Sequence, residues 1–169
     1  MSAQSAPEER GLEIVAARHA LFEVDLALGR YVNVASNTLD HFPERLTAAL
    51  PTLWEHRCMM GEPGGFVKEM RAGTDLAHVV EHVLLELLHL ADPDGRVYTG
   101  WTNPKKGRDR QAPPGVYTIH YQINSAAQGH LAARCGVELV EGVLAGGPTD
   151  VESYLARLRE SFQWTDVEA

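Results

Sequence analysis

A chain of 169 residues, 44% apolar and 22% charged, is long enough for one domain with one sizeable core and has the composition of an ordinary globular fold. Its formal net charge of −8 argues against general nucleic-acid binding, and no apolar run approaches the roughly 20 residues of a membrane span. Two cysteines, Cys58 and Cys135, give no disulfide framework, so a reducing cytoplasm is the expected compartment.

The N-terminal residues are small and polar and lack the basic and apolar regions of a signal peptide. Residues 1–10 are therefore expected to be a flexible N-terminus and 11–165 a single module. Leu12 to Asp25 is rich in β-branched and alternating residues, and His19 to Leu26 reads as a strand. Asn33 to Thr38 is a polar turn. Leu39 to Leu50 reads as a helix, with Asn37 or Thr38 near its start and Pro51 just past its end. Cys58 to Gly65 reads as a loop, because Gly61, Pro63, Gly64 and Gly65 crowd into it.

Gly73-Thr74-Asp75 then supplies an N-cap hydroxyl and a first-turn carboxylate, and Leu76 to Leu90 follows without Gly or Pro. Apolar residues fill most of the circumference of this helix, so it should be buried in the core. Further on, Val97 to Thr102 reads as a short strand and Val116 to Ile123 as a longer alternating one. Between them Asn103 to Pro114 is a polar loop carrying Lys105, Lys106, Arg108 and Arg110. Ala126 to Leu144 is a long helix that Gly146-Gly147-Pro148 breaks, and Asp150 to Phe162 a last amphipathic one. Strands interleaved with segregated helices make an α+β domain, an antiparallel or mixed sheet backed by helices.

The buried helix carries a polar strip of His78, Glu81, His82 and Glu86. Buried charge and imidazole are costly unless paired or coordinated. Histidines four apart lie one above the other on a helix face, about 6 Å apart along the axis, which lets two imidazoles converge on one metal ion. His78-Val79-Val80-Glu81-His82 is thus the H-x-x-E-H pattern of an inverted zinc-protease site, with Glu81 beside the second histidine as general base. His78 and His82 are two expected ligands. Glu86, one turn beyond His82, is the third, although it lies about 12 Å along the axis from His78 in a straight helix. It would otherwise orient His82, and His56 or Cys58 would replace it as ligand. Arg71 and His19 are candidates to stabilise an oxyanion. Trp54, Trp101 and Trp164 are candidates to line a groove.

Several stretches, taken together, resemble the N-terminal domain of cyanophycin synthetase. They are Asn37, Leu50-Pro51-Thr52-Leu53, Glu55-His56-Arg57-Cys58, Gly64-Gly65-Phe66, Gly73-Thr74, His78 to Val83 with Glu86-Leu87, and Pro114-Gly115-Val116-Tyr117. The resemblance runs over roughly residues 12–145. It implies a freestanding copy of a module that, in the synthetases, precedes two ligase domains building a polyaspartate backbone with arginine on each side chain. Neither ligase domain is present in this chain, and it has no P-loop. The implied roles of the module are holding the polymer and, where H-x-x-E-H is intact, zinc-dependent cleavage of polymer chains.

The expected activity is therefore a zinc metallopeptidase or amidohydrolase, with Zn2+ on His78, His82 and Glu86 and with Glu81 as catalytic base. Its substrate would be cyanophycin or a related aspartate/arginine-type peptide. The competing expectation is a non-catalytic polymer-binding or accessory module working with a separately encoded peptide ligase. Neither nucleic acid nor membrane is an expected partner, and a homo-oligomer is compatible with both. The stretch after Tyr117, Gln122 to Gln128, lacks the glutamates that the synthetases carry there, which leaves a related peptide open as substrate. The basic loop would prefer carboxylates.

Overall fold

Hydrophobic alternation builds a sheet that the helices cover on one face. The computed structural model describes residues 11–19, 21–59, 61–105, 114–123 and 125–165. Strands β1 (Glu13–His19), β2 (Phe22–Ala27), β3 (Gly100–Pro104) and β4 (Val116–Tyr121) form one antiparallel sheet in the order β1-β2-β4-β3. Phe22, Val24 and Leu26 on β2, and Ile119 and Tyr121 on β4, point from one face into the core. The helices are α1 (Phe42–Ala49), α2 (Gly65–Ala72), α3 (Leu76–Ala91), α4 (Ala126–Ala145) and α5 (Val151–Thr165). This is the expected α+β class.

Helix α3 is the centre of the core. It packs against α4, α5, β3 and β4, and nearly all of its residues are buried. A helix apolar around most of its surface can be satisfied only by neighbours on every side. Its position is fixed from the N-terminal end by a clamp. The Ser36 hydroxyl donates to Met70 O at 2.7 Å and accepts from Thr74 N–H at 3.0 Å, while Asn37 Nδ2 donates to Ala72 O at 2.9 Å. Gly73 sits at φ 116°, and a Cβ there would come within 2.6 Å of Asn37 Oδ1, so glycine is required.

Several boundaries differ from expectation. The strand read from His19 to Leu26 is β2 from Phe22 onward, while His19 ends β1 and pairs with Phe22. The two residues between them, Ala20 and Leu21, carry none of the usual turn chemistry, so alternation on either side hid the reversal. Helix α2 was not anticipated. Gly64, at φ 80°, caps its start, so the glycines mark a helix entry rather than a long loop. Helix α1 starts at Phe42, after a 3₁₀ turn at Ser36–Thr38. Strand β3 begins three residues later than Val97, because Tyr98 donates to Asp92 at 2.5 Å and holds the preceding segment as a loop.

Lys105, the first residue of the basic loop, pairs with the fully buried Asp25 at 2.5 Å, and Asp25 also accepts from Thr118 at 2.7 Å. Lys106, Arg108 and Arg110 lie outside the described residues, as does the N-terminus read as flexible. Among the described residues, no helix is long and apolar enough to cross a membrane.

Candidate metal centre and cleft

The capped start of α3 positions the polar strip. Asp75 accepts the His78 N–H at 2.9 Å, so the first turn is fixed where the motif begins. The rings of His78 and His82 then lie 4.9 Å apart on one face. Cys58, in the loop before α2, completes the group: its Sγ is 3.5 Å from His78 Nε2. Donor atoms of Cys58, His78 and His82 all fall within 4.8 Å of one another.

Glu86 lies elsewhere in the network. Its Oε2 is 2.5 Å from His56 Nε2, and His56 Nδ1 is 2.9 Å from His82 Nδ1. The structure therefore brings His78 and His82 together with Cys58, and links Glu86 to them only through His56. One assignment satisfies each contact. His56 donates from Nε2 to the Glu86 carboxylate and accepts at Nδ1 from His82 Nδ1–H, which leaves His82 Nε2 as a lone pair. His78 donates from Nδ1 to the Thr74 hydroxyl at 3.0 Å, which leaves Nε2 free toward Cys58.

Electrostatics favour ligation at His82 and oppose it at Cys58. Burial, reinforced by the neighbouring His78 and His56, pushes His82 down to about 2, so its imidazole is neutral at physiological pH. Burial and the hydrogen bond with Glu69 push the Cys58 thiol up to about 12. Although burial works against it, the hydrogen bond from His56 holds the Glu86 carboxyl below the usual carboxylate range. Burial raises Glu81 instead, against the hydrogen bond its Oε2 accepts from the Thr102 hydroxyl at 2.6 Å. Phe66 closes the floor of the site: it is fully buried, stacks on His82 at 3.9 Å and meets His78 edge-on at 5.7 Å.

The group opens into a cleft of about 1000 Å³ between α3, the Glu55–Met59 loop and β3. Among the described residues, five carboxylates line it, Glu55, Glu69, Asp75, Glu81 and Glu86, against the single guanidinium of Arg57. Met59, Val97 and Trp101 give it an exposed apolar rim. Trp101 stacks on His120 at 4.9 Å. Arg71 lies over Trp54 at 4.9 Å and pairs with Glu44, away from this cleft. The side chains of His19 and Trp164 lie outside the described residues. Sequence reasoning missed Phe66, Thr102 and Glu69 as parts of the site. Glycine beside Phe66, and a polar Thr at an inward position of a cleft strand, were the signals available.

Comparisons with known proteins match the chain to one family. The model of the cyanophycin synthase-like N-terminal domain matches residues 23–145. The chain is similar to a cyanophycin synthetase of Trichormus variabilis, 36% identical over 131 residues, which are 77% of this chain and 14% of the relative. A cyanophycin synthetase of Synechocystis sp. is 34% identical over 147 residues, 85% of this chain and 16% of the relative. That of Geminocystis herdmanii is 32% identical over 131 residues, 77% of this chain and 14% of the relative. This chain therefore spans 14–16% of the length of these relatives.

These relatives are synthetases, whose activity joins units, and not hydrolases or peptidases. That finding overturns the expected zinc metallopeptidase or amidohydrolase. The H-x-x-E-H spacing also serves to seat two imidazoles and a carboxylate along one side of a buried cleft, and that use requires no hydrolysis.

Proposed function

The chain belongs to the cyanophycin synthase-like N-terminal domain family, and we propose that it is a non-catalytic module that binds a cyanophycin-type polymer for a separately encoded peptide ligase. The observation that supports this reading is the charge of the cleft, five carboxylates against one guanidinium among the described residues. Guanidinium groups present a planar fork of N–H donors that matches carboxylates bidentately. A polymer with arginine on each side chain supplies such forks at regular intervals. Glu55, which is exposed, would meet them first, and the buried Glu81, held by Thr102, would lie deeper.

A zinc ion on Cys58, His78 and His82 is part of the proposal. One thiolate and two imidazoles are a donor set suited to zinc, and the contacts of Thr74 and of His56 with Glu86 are compatible with tautomers that leave a lone pair on each imidazole. When bound, the ion would supply a fixed positive charge and an open position for a carbonyl or carboxylate oxygen of the polymer. Cys58 and Cys135 are free thiols, which suits the cytoplasmic location proposed with this role.

Calorimetric titration tests the reading. Zinc-loaded protein should bind a β-aspartyl-arginine oligomer saturably and unmodified polyaspartate not at all, because the cleft carboxylates repel the bare acid chain. The affinity should fall as salt is raised. Equal binding of both chains, or of neither, would refute it.

A further inference from the structure

Among the described residues, strand β3 ends the sheet on its side and pairs only with β4. Lys105, just past its end, donates its N–H to Val116 O at 2.8 Å. In an antiparallel ladder, residues that bond inward alternate with residues whose backbone groups turn outward. With Trp101 opposite His120 and Asn103 opposite Thr118, the inward set is Trp101, Asn103 and Lys105. Gly100, Thr102 and Pro104 therefore present their backbone groups at the edge. Among the described residues, no backbone group bonds to them from outside the sheet. Pro104 has no N–H to offer, and it falls at an outward position where no ladder bond needs one.

This edge faces the acidic cleft. Every residue of β3 lines it, and the Thr102 side chain points inward to Glu81. Resting on the polymer-binding reading above, we infer that the occupant's main chain adds to β3 as a further strand, exchanging hydrogen bonds with Gly100 and Thr102. A residue opposite Thr102 points its side chain to the same face of the sheet, toward Glu81. Alternate arginine-bearing side chains, about 6.6–6.8 Å apart, would thus face the carboxylates while those between them face solvent. Pro104 ends the run of N–H donors and so sets how far the added strand extends. The edge reads the main chain and the carboxylates read the side chains, so neither a free arginine nor a disordered polycation satisfies both.

The test compares Thr102→Pro, which removes the outward N–H, with Thr102→Val, which keeps it and loses only the hydroxyl. Each is titrated with a β-aspartyl-arginine oligomer, and wild type is titrated also with the same oligomer N-methylated along its backbone. Thr102→Pro should bind about 10-fold more weakly than Thr102→Val, and N-methylation should weaken binding to wild type by at least as much. If Thr102→Pro does not fold, the N-methylated oligomer decides. Wild-type affinity unchanged by N-methylation would overturn strand addition and leave the polymer-binding reading standing. Failure of wild type to bind the unmethylated oligomer would overturn both.

Discussion

Phe66→Ala is expected to destabilise the protein by about 3–5 kcal/mol, the cost of emptying a fully buried aromatic site. The residue packs the second turn of α3 from below, stacked on His82 and edge-on to His78, so its loss creates a void under the site itself. For a chain of this size the melting temperature should fall by about 10 °C. Phe66→Leu keeps most of the volume and should cost less than half as much. A thermal melt of the two variants beside wild type checks this. A melting temperature for Phe66→Ala within about 2 °C of wild type would mean that the ring does not support α3.

The second large effect concerns zinc. Wild type should bind about one zinc per chain, and Cys58→Ala or His78→Ala should weaken binding by at least about 100-fold, because two ligands cannot hold the ion tightly. Glu86→Gln should cost less, about 10–100-fold, since Glu86 reaches His82 only through His56. The pH dependence has a definite sign. Metal-free Cys58 holds its proton at any pH below about 12, and the bound form has lost it. Binding therefore releases one proton from the thiol, and affinity should rise about 10-fold per pH unit. His82, already neutral, adds no proton of its own at physiological pH. Competition titrations with a zinc-sensitive dye between pH 6 and pH 8 measure both. If Glu86→Gln loses zinc as completely as Cys58→Ala, then Glu86 is itself a ligand.

Much of this was legible in the sequence because α3 is unusually explicit. A capped run from Leu76 to Leu90 without Gly or Pro predicts a buried helix, and histidines four apart on it must share a face. Cys58 could be named only as an alternative, since nothing in a linear spacing of 20 residues fixes which loop residue meets His78. The fourfold spacing favours Glu86 as ligand, whereas in the fold the His56 ring lies between Glu86 and His82. The β1–β2 reversal was invisible because Ala20 and Leu21 carry no turn signal. Helix α2 was hidden for the opposite reason, since Gly64 and Gly65 signal coil more strongly than Phe66 to Ala72 signals helix. The motif alone pointed to hydrolysis, because a spacing pattern reports which groups converge and not which reaction they serve. The acidic balance of the cleft depends on Glu55, Glu69 and Asp75 converging from three segments, and only the fold assembles them.

The most direct test of the polymer-binding account uses the intact polymer. Zinc-loaded protein is mixed with full-length cyanophycin, the bound fraction is measured as protein is increased, and polymer length is measured before and after. Saturable binding with unchanged chain length is the expected result. No binding, or chains shortened in the presence of the protein, would contradict the account.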